Sequence, residues 1–237
     1  MKNIDLLEYF IKTGYVWKKD ENALKEICKF TKTRVKPNIA EFEFNFGSEQ
    51  TFLIKAIAEH VKAKNFFEIG TGRGTACYAV SLIPEIENIT TIDIRPHDEK
   101  MSTAINYEPA HVSMSEIHDM IPFSEKQKIN FHHRIDVKKL KNKYENFFDI
   151  CFIDGNHDNE STIKEDLEIC LTVSKKNATI IFDDYHLNQF KVRAVVDEIL
   201  NKSNNFDASF IKFHGHLFHT EKRVSHYGFA VLQRNNK

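Results

Sequence analysis

The chain predicts an α/β fold: a doubly wound, mostly parallel sheet with an antiparallel C-terminal edge strand and an N-terminal helical addition. Three observations carry this. Short apolar runs rich in β-branched and aromatic residues fall at residues 66–69, 89–94, 148–153 and 178–182. Helical segments separate the first from the second and the third from the fourth, and near-continuous apolar strands need a sheet covered on both faces. Next, Phe66-Phe67-Glu68-Ile69-Gly70-Thr71-Gly72-Arg73-Gly74 puts three of the chain's 8 glycines in a five-residue window. A strand-like run leads in and a helix-like run, Thr75 to Val80, leads out, the pattern of a tight turn over a bound ligand. Last, the apolar runs end in acids: Asp93, Asp154, and Asp183 with Asp184.

The elements follow in order. Residues 3–12 read as a helix through Leu6, Leu7, Tyr9, Phe10 and Ile11, and residues 21–32 as a second through Leu24, Ile27, Cys28 and Phe30. Pro37 and the alternating Phe42, Phe44 and Phe46 mark an extended, core-packed connector. Ser48 is the expected N-cap of a helix that buries Phe52, Leu53, Ala56, Ile57 and Val61. Residues 130–133 offer a further strand. A helix at 190–201 precedes strands at 208–213 and 227–233, which have no helix-length segment between them and so pair antiparallel. Residues 96–126 break the alternation with Pro96, Pro109 and Pro122, and read as either a mobile lid or a surface insertion.

Composition narrows the function classes. The 237 residues, 41% hydrophobic, suit one large domain. Lys+Arg 33 against Asp+Glu 34 leaves no basic footprint for nucleic acid, and the lysines at 138, 139, 141 and 143 read as a solvated face. Cys28, Cys77, Cys151 and Cys170 form no Cys-x-x-Cys pair, so they are expected to be buried thiols in a reducing compartment. With no signal-peptide stretch and no apolar run of roughly 18 residues, a cytoplasmic protein without membrane contact is expected.

Ligands of open α/β sheets bind beyond the carboxyl ends of the strands. Asp93 lies 23 residues after Gly70. An acid at about that distance suits ribose hydroxyls, because a carboxylate accepts two hydrogen bonds from a vicinal diol. Asp154, Asp183 and Asp184 gather charge at two strand ends. A hard divalent cation such as Mg²⁺ would compensate their repulsion; otherwise they form turns and caps.

Together these motifs resemble the class I S-adenosylmethionine-dependent methyltransferases, a Rossmann-like superfamily, over roughly residues 47–200. The Phe-Ile-Asp-Gly-Asn-His segment at 152–157 and the Phe-Asp-Asp-Tyr-His segment at 182–186 are similar to those of metal-dependent small-molecule O-methyltransferases, including sugar O-methyltransferases. The two N-terminal helices make residues 1–46 a helical segment, and the resemblance implies an S-adenosylmethionine-binding domain at 47–237. It implies that Gly70, Thr71 and Gly72 pass under the methionine and ribose parts of the cofactor. Glu68 would lie near its amino-acid end and Asp93 on its ribose. Ile135 and Asp136 would sit at the adenine, with Ile135 departing from the family's glycine. Asp154, Asp183 and Asp184 would bind Mg²⁺, and His157 would be the catalytic base beside Asp154, with His186 a weaker candidate.

The chemistry that follows is methyl transfer to a hydroxyl of a sugar or other small polyhydroxylated molecule. The sulfonium methyl is already activated, so the enzyme aligns the nucleophile and makes it electron-rich. Other readings remain open: an RNA or protein methyltransferase on the same fold, or a non-catalytic nucleotide-binding protein. The Gly-x-Gly-x-Gly spacing departs from the dinucleotide pattern. His214, His216 and His219 lack the i, i+4 pairing of helical zinc sites. Oligomeric state stays open, and a homodimer through the N-terminal helical segment is compatible with the sequence.

Overall fold

The computed structural model describes residues 1–30, 48–100, 113–134, 137–185, 190–213 and 227–235. The expectations for Pro37, Phe42, Phe44, Phe46, Ile135, Asp136, His186, His214, His216 and His219 lie outside the described residues, as does the Ser48 side chain.

The described strands are β1 (Lys2–Asp5), β2 (Asn65–Ile69), β3 (Asn88–Asp93), β4 (Ile129–His133), β5 (Phe148–Ile153), β6 (Ser174–Phe182), β7 (Phe206–Phe213) and β8 (Tyr227–Arg234). They form one sheet in the order β1-β7-β8-β6-β5-β2-β3-β4. All neighbours are parallel except β8, which runs antiparallel to both β6 and β7. The order reverses between β2 and β5, the switch point at which such sheets open a ligand crevice.

The mostly parallel sheet and its antiparallel C-terminal strand are as expected, with two adjustments. The helix expected over 3–12 begins only at Leu6: α1 is Leu6–Thr13, and β1 precedes it as an edge strand beside β7. Ile4 is the one buried residue of β1, too short an alternation to be read as a strand. Part of the 96–126 stretch is ordered as α5 (Met114–His118) and α6 (Phe123–Lys126). Ser113 caps α5 in a reciprocal capping box with Glu116, a local signal overshadowed by the three prolines. The lid expectation falls largely on 101–112, outside the described residues.

Two apolar layers sandwich the sheet, because successive strand residues point to opposite faces. Phe66, Ile89, Phe152, Ile181 and Phe229 face one cluster, with α1, α2 (Glu21–Phe30), α3 (Ser48–His60) and α4 (Thr75–Ser81). Phe67, Cys151, Ile153, Ile180, Phe182 and Leu232 face the other, with α7 (Val137–Tyr144), α8 (Glu160–Val173) and α9 (Val192–Lys202). Lys55 of α3 is buried and donates to the half-buried Asp20, which also accepts from the Tyr15 hydroxyl, so an ion pair joins the N-terminal segment to α3. No described helix is long and apolar enough to cross a membrane.

Candidate active site

Register builds the site. Ile69 pairs with Ile92 on one side and Ile153 on the other, and Ile153 pairs with Phe182. The next residue on each strand therefore falls on one line along the carboxyl edge: Asp93, Gly70, Asp154 and Asp183. Backbone bonds hold that line, from Gly70 N to Ile92 O at 2.8 Å, Asp154 N to Ile69 O at 2.8 Å and Asp183 N to Ile153 O at 3.1 Å.

The glycine turn lies directly against the acid cluster. Gly70 has φ +99°, and a Cβ there would lie 1.9 Å from the carbonyl oxygen of Asp154. Only glycine allows β2 and β5 to end this close together. Beyond it, the Asp93 carboxylate accepts from Gly72 N at 3.1 Å through one oxygen and from Arg95 N at 2.9 Å through the other.

Beneath the turn runs a buried polar chain. Glu68 accepts from the Cys77 thiol at 2.8 Å and the Thr91 hydroxyl at 2.6 Å, and Thr91 meets the Thr71 hydroxyl at 2.7 Å. Burial pushes the Glu68 carboxyl up to about 7, against the two hydrogen bonds that favour its charged form. Glu68 thus braces Thr71 from below. Cys77 was not singled out by the sequence, where it reads as one more small apolar residue of α4.

On the other side of Gly70, Asp154, Asp183, Asp184 and His157 converge. Burial first, then the charges of Asp183 and Asp184, push the Asp154 carboxyl well above the usual range; burial and Asp184 raise Asp183 likewise. Asp154 and Asp183 are linked by a side-chain hydrogen bond, so the two carboxyls titrate as a pair. Asp183 further accepts from Asp184 N at 2.8 Å and from Gln50 Nε2 at 2.8 Å. Gln50, in the first turn of α3, is a site residue that sequence reasoning missed, since its partner lies 133 positions away.

Asp184 adopts φ +55°, an uncommon conformation for a non-glycine residue. One of its oxygens meets His157 Nδ1 at 3.1 Å; its other oxygen and His157 Nε2 are buried without a hydrogen-bond partner. Burial disfavours a charged His157, but the hydrogen bond and charge of Asp184 outweigh it, and the pKa lies above the usual histidine value.

Carboxylate oxygens from adjacent strand ends gather here, one of them buried and unpartnered, which is the donor chemistry that a hard cation takes. Among the described residues no three His, Cys, Asp or Glu side chains are already grouped as a metal centre. Asp184 turns one oxygen to His157, and both Asp183 oxygens accept hydrogen bonds.

A family model described as a methyltransferase domain matches residues 67–185, half of the chain. The protein belongs to this methyltransferase-domain family. The matched span begins in β2 and ends just past the paired acids, so it encloses the glycine turn, Asp93, Asp154, His157, Asp183 and Asp184. A comparison with curated proteins finds no match. Among solved structures, the chain is similar to the O-methyltransferase TomG from Streptomyces achromogenes, involved in tomaymycin synthesis and in complex with SAM. The TM-score is 0.59 at 16% identity, covering 90% of both chains. It is also similar to the O-methyltransferase from Bacillus cereus in complex with SAH, with TM-score 0.59, 14% identity, and coverage of 97% of this chain and 100% of that one. Cofactor-bound Rv0187 from MTB gives TM-score 0.59 at 17% identity, covering 98% and 97%. At these identities the likenesses establish the shared fold.

Proposed function

We propose that the protein is an S-adenosylmethionine-dependent O-methyltransferase that methylates a hydroxyl of a sugar or other small polyhydroxylated molecule, with a divalent cation such as Mg²⁺ assisting. The observation that carries this reading is the abutment at Gly70. The turn expected to cradle the cofactor touches the backbone of the acid that opens the Asp154–Asp183–Asp184–His157 cluster. A methyl donor lying over Gly70, Thr71 and Gly72, with its ribose on Asp93, would face those acids. The solved neighbours carrying SAM or SAH in the same fold support the cofactor assignment.

Asp154, Asp183 and Asp184 would hold the cation, which when bound lowers the pKa of a coordinated hydroxyl. The chain's own residues do the rest. Asp184 fixes the His157 ring by accepting from Nδ1–H at 3.1 Å, which leaves the lone pair on Nε2 free to take the acceptor's proton. Gln50 holds Asp183 from α3 and keeps the acid pair in place. Burial of His157 and the acids excludes water from the proton-transfer path.

The test is transfer of a labelled methyl group from S-adenosylmethionine to a panel of vicinal diols, sugars first, with Mg²⁺ and with EDTA. The reading expects labelled ether product that depends on the cation. Labelled RNA or protein with no small-molecule product would favour the macromolecular alternative. Activity undiminished by EDTA would remove the cation from the mechanism.

A further inference from the structure

His118 lies at the end of α5, outside every motif used above, yet it is buried against the glycine turn. Its Nε2 stands 3.3 Å from the carbonyl oxygen of Gly72. The ring is stacked on Phe131 of β4, with centroids 4.0 Å apart and planes 13° apart, and His97 meets it edge-on at 5.5 Å. A Cβ on Gly74 would come within 3.2 Å of the His118 ring, so the turn and the imidazole are fitted to each other. The capping box of Ser113 and Glu116 and the bond from Ser115 N to His97 O at 2.7 Å fix α5 where the ring can reach.

Gly72 is therefore gripped at both ends of its backbone: Asp93 accepts from its N–H at 3.1 Å, and His118 faces its C=O. Asp93 is the residue read as the ribose ligand, and Gly72 belongs to the turn beneath that ribose. We propose that His118 is a positioning residue for cofactor binding: the neutral imidazole donates from Nε2–H to the Gly72 carbonyl, and with Asp93 it preorganises the turn in its binding conformation. This rests on the glycine turn being the cofactor site. A preorganised backbone costs less to order when the ligand arrives, so the effect belongs in affinity.

The test is calorimetric titration of S-adenosylhomocysteine into the wild type, His118→Gln and His118→Phe. Phenylalanine keeps the stack on Phe131 and removes the donor; glutamine keeps an N–H donor. Expected are a Kd within about twofold of wild type for His118→Gln and a Kd raised roughly three- to tenfold for His118→Phe, the range for loss of one neutral hydrogen bond. The melting temperatures should stay close together. A His118→Phe variant that binds as tightly as wild type overturns the inference and leaves the proposed function standing. A wild type that does not bind S-adenosylhomocysteine overturns the cofactor reading itself. Should His118→Phe fail to fold, nitrogen NMR of the wild-type imidazole decides: an Nε2–H tautomer supports the clamp, and an unprotonated Nε2 refutes it.

Discussion

Gly70→Ala should do far more damage than Gly72→Ala, although both glycines lie in one turn and both have positive φ. At Gly72, φ is +47° and nothing lies within 4 Å of where a Cβ would stand, so alanine meets only the left-handed backbone penalty, roughly 1–2 kcal/mol. At Gly70, φ is +99° and the added carbon would fall 1.9 Å from Asp154 O, 2.5 Å from Asp154 C and 3.0 Å from Gly155 N. Those atoms are backbone, and Asp154 N is tied to Ile69 O at 2.8 Å, so no side-chain rotation relieves the clash. Relief requires β2 and β5 to separate at their carboxyl ends, breaking ladder hydrogen bonds worth about 0.5–1.5 kcal/mol each on top of the conformational penalty. The total is roughly 3–5 kcal/mol. With about 2–4 °C lost per kcal/mol in a domain of this size, Gly72→Ala should melt about 2–8 °C below wild type and Gly70→Ala about 6–20 °C below. Differential scanning calorimetry reads both. Equal melting temperatures for the two variants would refute the close approach of the turn to Asp154.

Asp93→Ala should weaken S-adenosylhomocysteine binding by about 2–4 kcal/mol, because it removes acceptors for the ribose and also releases Gly72 N; calorimetry on the folded variant checks this. His157→Ala should slow methyl transfer by roughly 10²–10⁴-fold while S-adenosylhomocysteine affinity stays unchanged, which single-turnover kinetics with equilibrium binding separates. Stability should also carry a His118 signature. Burial, then His97, hold its pKa down to about 4, against the bond to Gly72 that favours the charged form. The unfolded histidine protonates near 6.5, so protons favour the unfolded chain and the contribution is lost as pH falls from about 6.5 toward 4. Relative to His118→Gln, which does not titrate, the wild type should lose roughly 2–3 kcal/mol over that window, read by denaturant unfolding at each pH.

The parts of the fold written in local patterns could be read from the sequence. Near-continuous apolar runs such as Phe148–Ile153 identify strands buried on both faces, and the glycines of the Gly70–Thr71–Gly72 turn mark a tight strand-to-helix turn. The acids at 93, 154, 183 and 184 were legible because a strand's end fixes where its next residue must lie. The residues that escaped depend on contacts distant in sequence. Gln50 matters only because α3 delivers it to Asp183, and His118 only because α5 seats it under Gly72, 46 positions earlier. Strand β1 escaped because one buried residue, Ile4, carries no period. Cys77 and Glu68 form a pair across a helix and a strand that no spacing rule announces.

A crystal structure grown with S-adenosylhomocysteine and Mn²⁺, the manganese located by its anomalous scattering, tests the central claim most directly. The account predicts the cofactor product over Gly70, Thr71 and Gly72 with its ribose hydroxyls on Asp93. It predicts one anomalous peak bound by Asp154, Asp183 and Asp184, on the side facing the cofactor's sulfur. Cofactor density elsewhere, or a cluster that stays metal-free with Asp154 still bonded to Asp183 at saturating Mn²⁺, would contradict it.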